Sequence, residues 1–205
     1  TAHQLGTPLS SMIAWMEIMK MDGQQNEALT ELSKDVDRLE KITERFSKIG
    51  SIPKLSSQNI VEVIHNSISY LKTRTSRKVI YQINPGPEIG IYAPVNLHLF
   101  EWVIENLTKN AVDAMGNTGN FTVDIIEENG FVHIDLSDTG KGIPKSKYKS
   151  VFHPGYTSKK RGWGLGLSLA ERIIKNYHKG KIFVKSSALD KGTTFRITLR
   201  KHINK

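Results

Sequence analysis

The sequence predicts an α+β protein in two parts: a helical hairpin that forms a dimeric four-helix bundle, followed by a layered domain with a mixed or antiparallel sheet. Two observations predict it. Residues 26–49 place apolar side chains at the a and d positions of a heptad pattern, whereas residues 121–138 hold two strand-like runs around Asn129-Gly130. The pattern changes within GSIPKLSSQ, residues 50–58. We therefore predict two domains, residues 1–52 and 56–205.

The composition excludes some classes of site. The chain has 205 residues, a net charge of +9 and no cysteine, so disulfides and cysteine-bound metals are excluded and a reducing compartment is favoured. The charge is compatible with an acidic partner such as nucleic acid, but a solvated basic surface explains it more simply. Because the chain begins at Thr1 inside a helical pattern, we expect a piece of a longer protein. Met12–Met19 is too short to span a bilayer.

The first domain is predicted as two amphipathic helices. One runs from about Ala2 to Met21, DGQQN forms the turn, and the second covers residues 26–49. The second helix carries an a/d stripe that two further isoleucines widen: Leu29, Leu32, Val36, Leu39 and Phe46, with Ile42 and Ile49 beside them. A widened stripe suits a bundle better than a two-stranded zipper, so we expect a homodimer through residues 2–50.

The second domain alternates helices and strands. Helices are expected at 59–71, 95–115 and about Leu165–Tyr177, and strands at Val79–Ile83, Ile89–Ala93, 121–128, 131–138, 181–187 and 193–200. The helix over 95–115 has an apolar side consisting of Phe100, Val103, Ile104, Leu107, Ala111 and Ala114. A stretch rich in glycine and lysine covers residues 139–166.

Asn106 and Asn110 lie four residues apart, at the border of that apolar side, so their side chains are neighbours. Taken alone, the pair is most simply two polar residues on a boundary. Amide oxygens are also ligands for Mg²⁺, which is commonly completed by substrate phosphates. The pair is therefore a candidate site for a metal and a phosphate chain.

Two glycine-rich stretches follow. DTGKGIP, residues 138–144, comes directly after a strand, where Asp138 can accept hydrogen bonds and Gly140 and Gly142 allow close approach. In RGWGLGLSLAERII, residues 161–174, Gly162, Gly164 and Gly166 open a helix whose N–H groups can face phosphate. Each stretch alone also fits an ordinary turn. A Rossmann site is excluded because the second stretch follows a lysine-rich loop instead of a strand.

Together the motifs are more specific. ENLTKNAVDA, DTGKGIP, VFHPGYTSKK, GWGLGLSLA and GTTFRITL follow the order of the N, G1, F, G2 and final glycine boxes. They resemble the ATP-binding domain of sensor histidine kinases, of the GHKL or Bergerat type, an α/β sandwich with a mixed sheet. HQLGTPLSS resembles the phosphoacceptor box of the dimerisation domain. The resemblance covers nearly the whole chain and implies ATP and Mg²⁺ as cofactors.

The resemblance also implies roles for single residues. Asn110 would hold Mg²⁺ with Asn106 beside the triphosphate, Asp138 would bind the adenine amino group, and residues 145–163 would form a mobile lid. The remaining implied nucleotide contacts are Gly140, Gly142, Phe152, Lys159, Gly162, Gly164, Leu165, Gly166 and Thr194. Related ATPases carry a water-activating Glu four residues before the metal-binding Asn. Here that position is Asn106, which favours a kinase over an ATPase.

His3 is the phosphoacceptor that the resemblance implies. At 100° per residue, the apolar positions of its helix lie on the opposite side, so His3 is expected to face solvent. Pro8 removes the hydrogen bond to the Gln4 carbonyl, and a kink beside His3 is expected. Gln4 stands where the family usually has an acidic proton acceptor, and Gly6 where it has a basic residue. Thr7 matches the position that orients water for response-regulator dephosphorylation.

The sequence thus favours an ATP-dependent histidine autokinase that passes its phosphoryl group to an aspartate of a response-regulator receiver domain. Because of Gln4 and Gly6, a degenerate kinase acting mainly as phosphatase or nucleotide-binding scaffold stays open. A nucleic-acid-acting ATPase is a third alternative that Asn106 disfavours, so no direct nucleic-acid partner is expected. The family implies the cytoplasmic portion of a bacterial membrane-bound sensor, attached to the membrane only through upstream segments.

Overall fold

The computed structural model describes residues 54–157 and 164–201, together with Met19. The chain divides into two compact units, Thr1–Pro53 and Lys54–Lys205, and the elements described below belong to the second. The helical hairpin and the candidate residues His3, Gln4 and Thr7 lie outside the described residues, as do Lys159 and Gly162.

The described unit is an α/β sandwich whose main sheet has five strands. In chain order the elements are β1 (Ser56–Asn59), α1 (Ile60–Lys72), β2 (Val79–Asn84), β3 (Tyr92–Val95), α2 (Leu97–Ala114), β4 (Gly119–Glu128), β5 (Phe131–Asp138), α3 (Gly166–Arg172), β6 (Lys181–Ala188) and β7 (Gly192–Arg200). The strand order is β2-β4-β5-β7-β6. Only β2 and β4 are parallel, so the sheet is mixed. Strands β1 and β3 form a separate antiparallel pair.

One face of the sheet is buried against the helices. In β5 the alternate residues Val132, Ile134 and Leu136 are buried, in keeping with the two-residue period of a strand. From the helical layer, Phe100 and Ile104 of α2 are fully buried. Each such apolar side chain contributes about 1.5–3 kcal/mol by leaving water. The core therefore fixes α2 against the centre of the sheet.

The opposite face of the sheet carries charged side chains. Arg196 donates to both carboxylate oxygens of Asp135 at 2.6 and 2.7 Å, and Lys185 Nζ donates to Asp135 Oδ2 at 2.6 Å. Burial acts to raise the pKa of Asp135, but the bonds from Arg196 and Lys185 outweigh it and hold that pKa below its usual range. This network joins β5, β6 and β7.

Most elements match the sequence prediction. Strands β4 and β5 form the expected hairpin, and Asn129 and Gly130 both have positive φ, 51° and 78°, as a two-residue type I′ turn requires. Helices α1 and α2 lie within one or two residues of their expected ends. The choice between a mixed and an antiparallel sheet is settled by the parallel pairing of β2 with β4.

Three details differ from the prediction. The strand expected at Ile89–Ala93 is β3, Tyr92–Val95, because it pairs with β1, a polar strand that the sequence did not reveal. The expected helix over Leu165–Tyr177 is α3 followed by a π-helical turn, Ile173–Tyr177. The hydrophobic period does not distinguish an α-helix from a π-helix over a single turn.

Among the described residues, no helix combines the length and apolar character needed to cross a membrane.

Candidate functional site

Helix α2 brings Asn106 and Asn110 to one boundary of the core. Its first turn is capped by Asn96, whose side-chain oxygen accepts from the Leu99 N–H at 3.2 Å. Both asparagines are half-buried, as predicted. The Asn106 Nδ2 is buried and has no hydrogen-bond partner within the described part of the chain. An unpaired buried amide costs about 1–3 kcal/mol, so this N–H₂ is suited to a ligand that supplies acceptor oxygens.

Gly166, the first residue of α3, lies directly against Asn106. A Cβ added at Gly166 would collide with the Asn106 side-chain oxygen, so a larger residue at position 166 would have to displace the Asn106 side chain. The structure thereby brings the asparagine of α2 and the glycine-rich stretch together. Leu165 precedes Gly166 and is 43% exposed.

Asp138 ends β5 and is buried, with 8% of its surface exposed. The Gly140 N–H donates to its Oδ1 at 2.8 Å. Burial raises the pKa of Asp138 above its usual value, although backbone N–H bonds from Gly140 and Thr193 act in the opposite direction. The result is a carboxyl group that is shielded from bulk water but retains acceptor capacity for a ligand.

The segment after Asp138 joins α2 to the β6–β7 turn. A Cβ at Gly140 would lie 2.6 Å from the Ala114 carbonyl at the end of α2, and one at Gly142 would collide with the Ala188 carbonyl. Gly142 also has φ +72°, a conformation that favours glycine. Lys141 reinforces both contacts, since its N–H donates to Ala114 and its carbonyl accepts from Asp190. These glycines therefore hold Asp138 and α2 at a fixed spacing.

Phe152 lies within the expected lid, residues 145–163, and is packed against the domain. Residues Lys145–Lys147 and Ser150–Phe152 form two short 3₁₀ helices, and Phe152 is buried edge-on against Phe195 with ring centroids 6.1 Å apart. Further along, the Gly155 N–H donates to the Gly164 carbonyl at 3.2 Å. The two ends of the intervening stretch thus meet, and Gly164 has the positive φ, +64°, that this closure uses.

The expectation that Thr194 contacts the base does not agree with the alternation of β7. Strand β7 places Thr193, Phe195 and Ile197 on the buried face, so Thr194 lies on the opposite face, where its Oγ1 is 2.9 Å from Ser137 Oγ. The direct cross-strand partner of Asp138 is Thr193, which is buried. The apolar alternation of β7 is visible in the sequence. It indicates that Thr193, and not Thr194, shares a face with the buried Phe195 and Ile197.

Ser187 was not singled out from the sequence. Its Oγ lies 2.7 Å from the Ile143 nitrogen and 2.9 Å from Thr193 Oγ1, so it contacts both the segment that follows Asp138 and the strand that pairs with it. Its orientation depends on a strand irregularity that one sequence does not display. The structure therefore forms two groups along α2: Asn106 with Gly166 at the middle of the helix, and Asp138 with Gly140, Gly142 and Thr193 near its last residue, Ala114.

The described unit thus combines an α/β sandwich with a buried carboxyl at the end of β5, closely packed glycines after it and an unpaired amide on α2. Residues 96–203 match the family described as histidine kinase-, DNA gyrase B- and HSP90-like ATPases. This match covers more than half of the chain, and the chain belongs to that family.

The curated relatives that the chain matches include named kinases of this family. The chain is 28% identical to sporulation kinase A of Bacillus subtilis (strain 168), over 98% of this chain and 33% of the relative. It is 30% identical to the sensor histidine kinase ZraS of Salmonella typhi, over 97% of this chain and 44% of the relative. The chain thus spans less than half the length of these curated relatives.

A solved structure supports the fold. Histidine kinase ThkA, in complex with the response regulator protein TrrA, matches with a TM-score of 0.66 and 21% identity, over 98% of this chain and 60% of that one. At this identity the likeness concerns the fold alone.

Proposed function

We propose that this chain is the dimerisation and catalytic part of a protein-histidine kinase, which phosphorylates itself on His3 with ATP and passes the phosphoryl group to a response-regulator aspartate. The observation that carries the proposal is the buried Asn106 amide against Gly166, at the position where related ATPases place a water-activating carboxylate. An amide cannot act as a general base. ATP is therefore preserved for a protein nucleophile instead of water.

The site residues fit a bound adenine nucleotide. Asp138 would accept from the exocyclic amino group, and Gly140 and Gly142 would form the wall beside the ring. Thr193 would take the role that the resemblance implied for Thr194. Phe152 would support this end of the pocket through its packing against Phe195.

At the other end, the unpaired Asn106 Nδ2 would donate to a phosphate oxygen. Gly164, Leu165 and Gly166 would line the phosphates with backbone N–H groups. Lys159 and Gly162 have corresponding roles only by resemblance, since they lie outside the described residues.

Asn110 would contribute one oxygen ligand to Mg²⁺. No cluster of three or more His, Cys, Asp or Glu residues suited to a metal occurs in residues 54–157 and 164–201. A single protein oxygen fits a Mg²⁺ ion held mostly by phosphates and water. When bound, the ion neutralises phosphate charge during transfer.

His3 would act as the nucleophile. A neutral imidazole, whose ordinary pKa is about 6.5, directs a ring-nitrogen lone pair at the γ-phosphorus. The N–P bond forms as the bond from that phosphorus to the β–γ bridging oxygen breaks, and ADP leaves with the electron pair. The other ring nitrogen loses its proton to solvent. Gln4 can orient the ring but cannot take the proton, so we expect slow autophosphorylation or another base.

A response-regulator receiver domain is the proposed acceptor, and residues 2–50 are the proposed dimer interface and docking surface. The co-structure of the related ThkA with a response regulator supports this partner. Gln4 and Gly6 favour a second candidate, a degenerate kinase that acts as a phosphatase through Thr7 or as a nucleotide-binding scaffold.

Labelling tests the proposal directly. The chain, and a version extended upstream, are incubated with γ-labelled ATP and Mg²⁺, beside His3→Ala. We expect acid-labile, base-stable phosphate on the wild-type chain and none on His3→Ala, with nucleotide binding equal in both. Nucleotide binding without label in the extended version contradicts the kinase and favours the scaffold. Steady ATP hydrolysis without label favours an ATPase.

A further inference from the structure

Ser187 occupies its position because of a β-bulge in β6. Ile182 pairs with Ile197 and Val184 with Phe195, but the register then shifts by one, so that Ser186 pairs with Thr194 and Ser187 with Thr193. In an unbroken ladder Ser186 would stand opposite Thr193. The bulge therefore determines which of two adjacent serines faces Thr193. Ser187 is turned toward the Asp138 side, whereas Ser186 stays exposed.

Ser187 joins the two segments that flank Asp138. Its Oγ accepts from the Ile143 N–H at 2.7 Å and donates to the Gly192 carbonyl at 2.8 Å. Its own carbonyl accepts from the Tyr148 hydroxyl at 2.6 Å. One residue thus fixes the wall that follows Gly142 and the beginning of β7.

The hydrogen-bond capacity of Ser187 determines what Thr193 offers. A serine hydroxyl has one proton and two lone pairs. The proton is directed to the Gly192 carbonyl and one lone pair to the Ile143 N–H, so the 2.9 Å contact with Thr193 uses the second lone pair. Thr193 must then donate its proton to Ser187. Its oxygen retains only lone pairs, so Thr193 acts as an acceptor for any further partner.

We propose that Ser187 is a positioning residue for base recognition, which holds Thr193 as a hydrogen-bond acceptor beside Asp138 and so favours a purine with an amino group at C6 over one with a carbonyl at C6. The inference rests on the proposed nucleotide site. Thr193 stands opposite Asp138 on the same face, and the ionised carboxylate is also an acceptor. At C6, adenine presents an amino group to this pair, whereas guanine presents a carbonyl oxygen, which finds no donor. Without Ser187 the Thr193 hydroxyl is free to donate to that oxygen.

The test compares affinities for the imido analogues of ATP and GTP with Mg²⁺, measured by calorimetry on the whole chain. Ser187→Ala should lower the ratio of ATP-analogue to GTP-analogue affinity about three- to tenfold, the equivalent of one hydrogen bond. Ser187→Thr retains the hydroxyl and should restore the ratio. Ser186→Ala, one residue away and exposed, is the matched control and should leave it unchanged.

The ratio separates recognition from stability, because both affinities come from the same preparation. Equal weakening of both analogues in Ser187→Ala overturns the inference and leaves a structural role only. An equal change in Ser186→Ala also overturns it. If Ser187→Ala does not fold, Thr193→Val decides, since an unchanged ratio there refutes the acceptor role. A wild-type chain that binds neither analogue refutes the nucleotide site itself, whereas absence of phosphohistidine refutes only the kinase.

Discussion

At the scale of single residues, the proposed site combines a carboxyl group that is costly to bury with two glycines, Gly140 and Gly142, where an added Cβ would collide with neighbouring backbone. Asp138 is 8% exposed, and burial raises its pKa although two backbone N–H groups bond to it. A buried charge without full compensation is retained where a ligand supplies the missing partner. We therefore separate its effect on binding from its effect on stability.

Asp138→Asn should weaken ATP-analogue affinity roughly 10- to 100-fold, because a charge-assisted hydrogen bond to the base is lost. Stability should change in the opposite sense. The raised pKa means that the folded wild type binds more protons than the unfolded chain, so its stability falls as pH rises from the ordinary aspartate value through the raised one. Asp138→Asn has no carboxyl group at this position, so its stability should not show this fall with rising pH. Calorimetry and thermal unfolding between pH 4 and 8 measure both effects.

The matched control for Asp138→Asn is Asp124→Asn. Asp124 lies on the neighbouring strand β4 and accepts from Asn84 Nδ2 at 2.9 Å. Nucleotide affinity should not change in this control. An equal loss of affinity in both variants would show that Asp138 does not touch the nucleotide.

Gly142→Ala and Gly130→Ala form a pair that separates backbone strain from a collision. Both glycines have positive φ, +72° and +78°, but only the Cβ at Gly142 meets a neighbour, the Ala188 carbonyl. Gly130→Ala should cost about 1–2 kcal/mol from φ alone. Gly142→Ala should cost about 1–3 kcal/mol more and also weaken nucleotide binding. Urea unfolding of the two variants checks the difference, and equal losses would contradict the contact.

At the scale of elements, the alternation of β7 separates two adjacent threonines. Thr193→Val should weaken ATP-analogue affinity about three- to tenfold, because a hydroxyl on the Asp138 face is replaced by a methyl group. Thr194→Val should leave affinity unchanged, since its hydroxyl bonds to Ser137 on the opposite face. Calorimetry on both variants checks the assignment. A loss of affinity in Thr194→Val but not in Thr193→Val would instead support Thr194 as the nucleotide contact.

His178 connects two elements on the buried side. Its Nε2 accepts from the Asn96 N–H at 3.1 Å, where α2 begins, so Nδ1 carries the proton and donates to the Ile173 carbonyl at 3.0 Å. Burial lowers the pKa of His178, whereas the hydrogen bond to the Ile173 carbonyl acts to raise it. The neutral ring is therefore the form that closes the connection between α2 and the π-helical turn.

The protein should lose stability as pH falls through about 6.5, because the unfolded chain then binds a proton that the folded His178 resists. Between the ordinary and the lowered pKa, each pH unit should remove about 1.4 kcal/mol. Above pH 7 this contribution is complete. Thermal unfolding of His178→Gln, with the exposed His98→Gln as control, measures it. An unchanged acid dependence in His178→Gln would contradict the assignment.

Elements with strong periodicity were predictable from the sequence. The strands β4 and β5 and helix α2 alternate or repeat clearly, and Asn129-Gly130 marks the turn between the strands. Strand β1, with the sequence SSQN, has no apolar alternation. Its pairing with β3 was therefore not predictable from the sequence. Ser187 required the bulge in β6, which depends on pairing with β7. Contacts between distant segments, such as Gly166 with Asn106, are likewise visible only in the fold.

At the scale of the whole molecule, the chain divides between Pro53 and Lys54. The second unit has its own core, which runs from Ile60 to Leu199 and includes all five strands of the main sheet. Every described residue of the proposed nucleotide site belongs to this unit, whereas the proposed nucleophile His3 belongs to the first. Nucleotide binding and phosphoryl acceptance are therefore expected to be separable properties of the two parts.

A chain cut to residues 54–205 should fold cooperatively and bind the ATP analogue with an affinity within about twofold of that of the full chain. It should not label itself, because His3 is absent, and it should sediment as a monomer if residues 2–50 form the dimer. Thermal unfolding, calorimetry and sedimentation velocity check these outcomes. His3→Ala in the full chain is the matched control, since it should lose the label but keep the dimer. A more than tenfold loss of affinity in the shorter chain would mean that the first unit supplies a nucleotide contact, which would refute the separation.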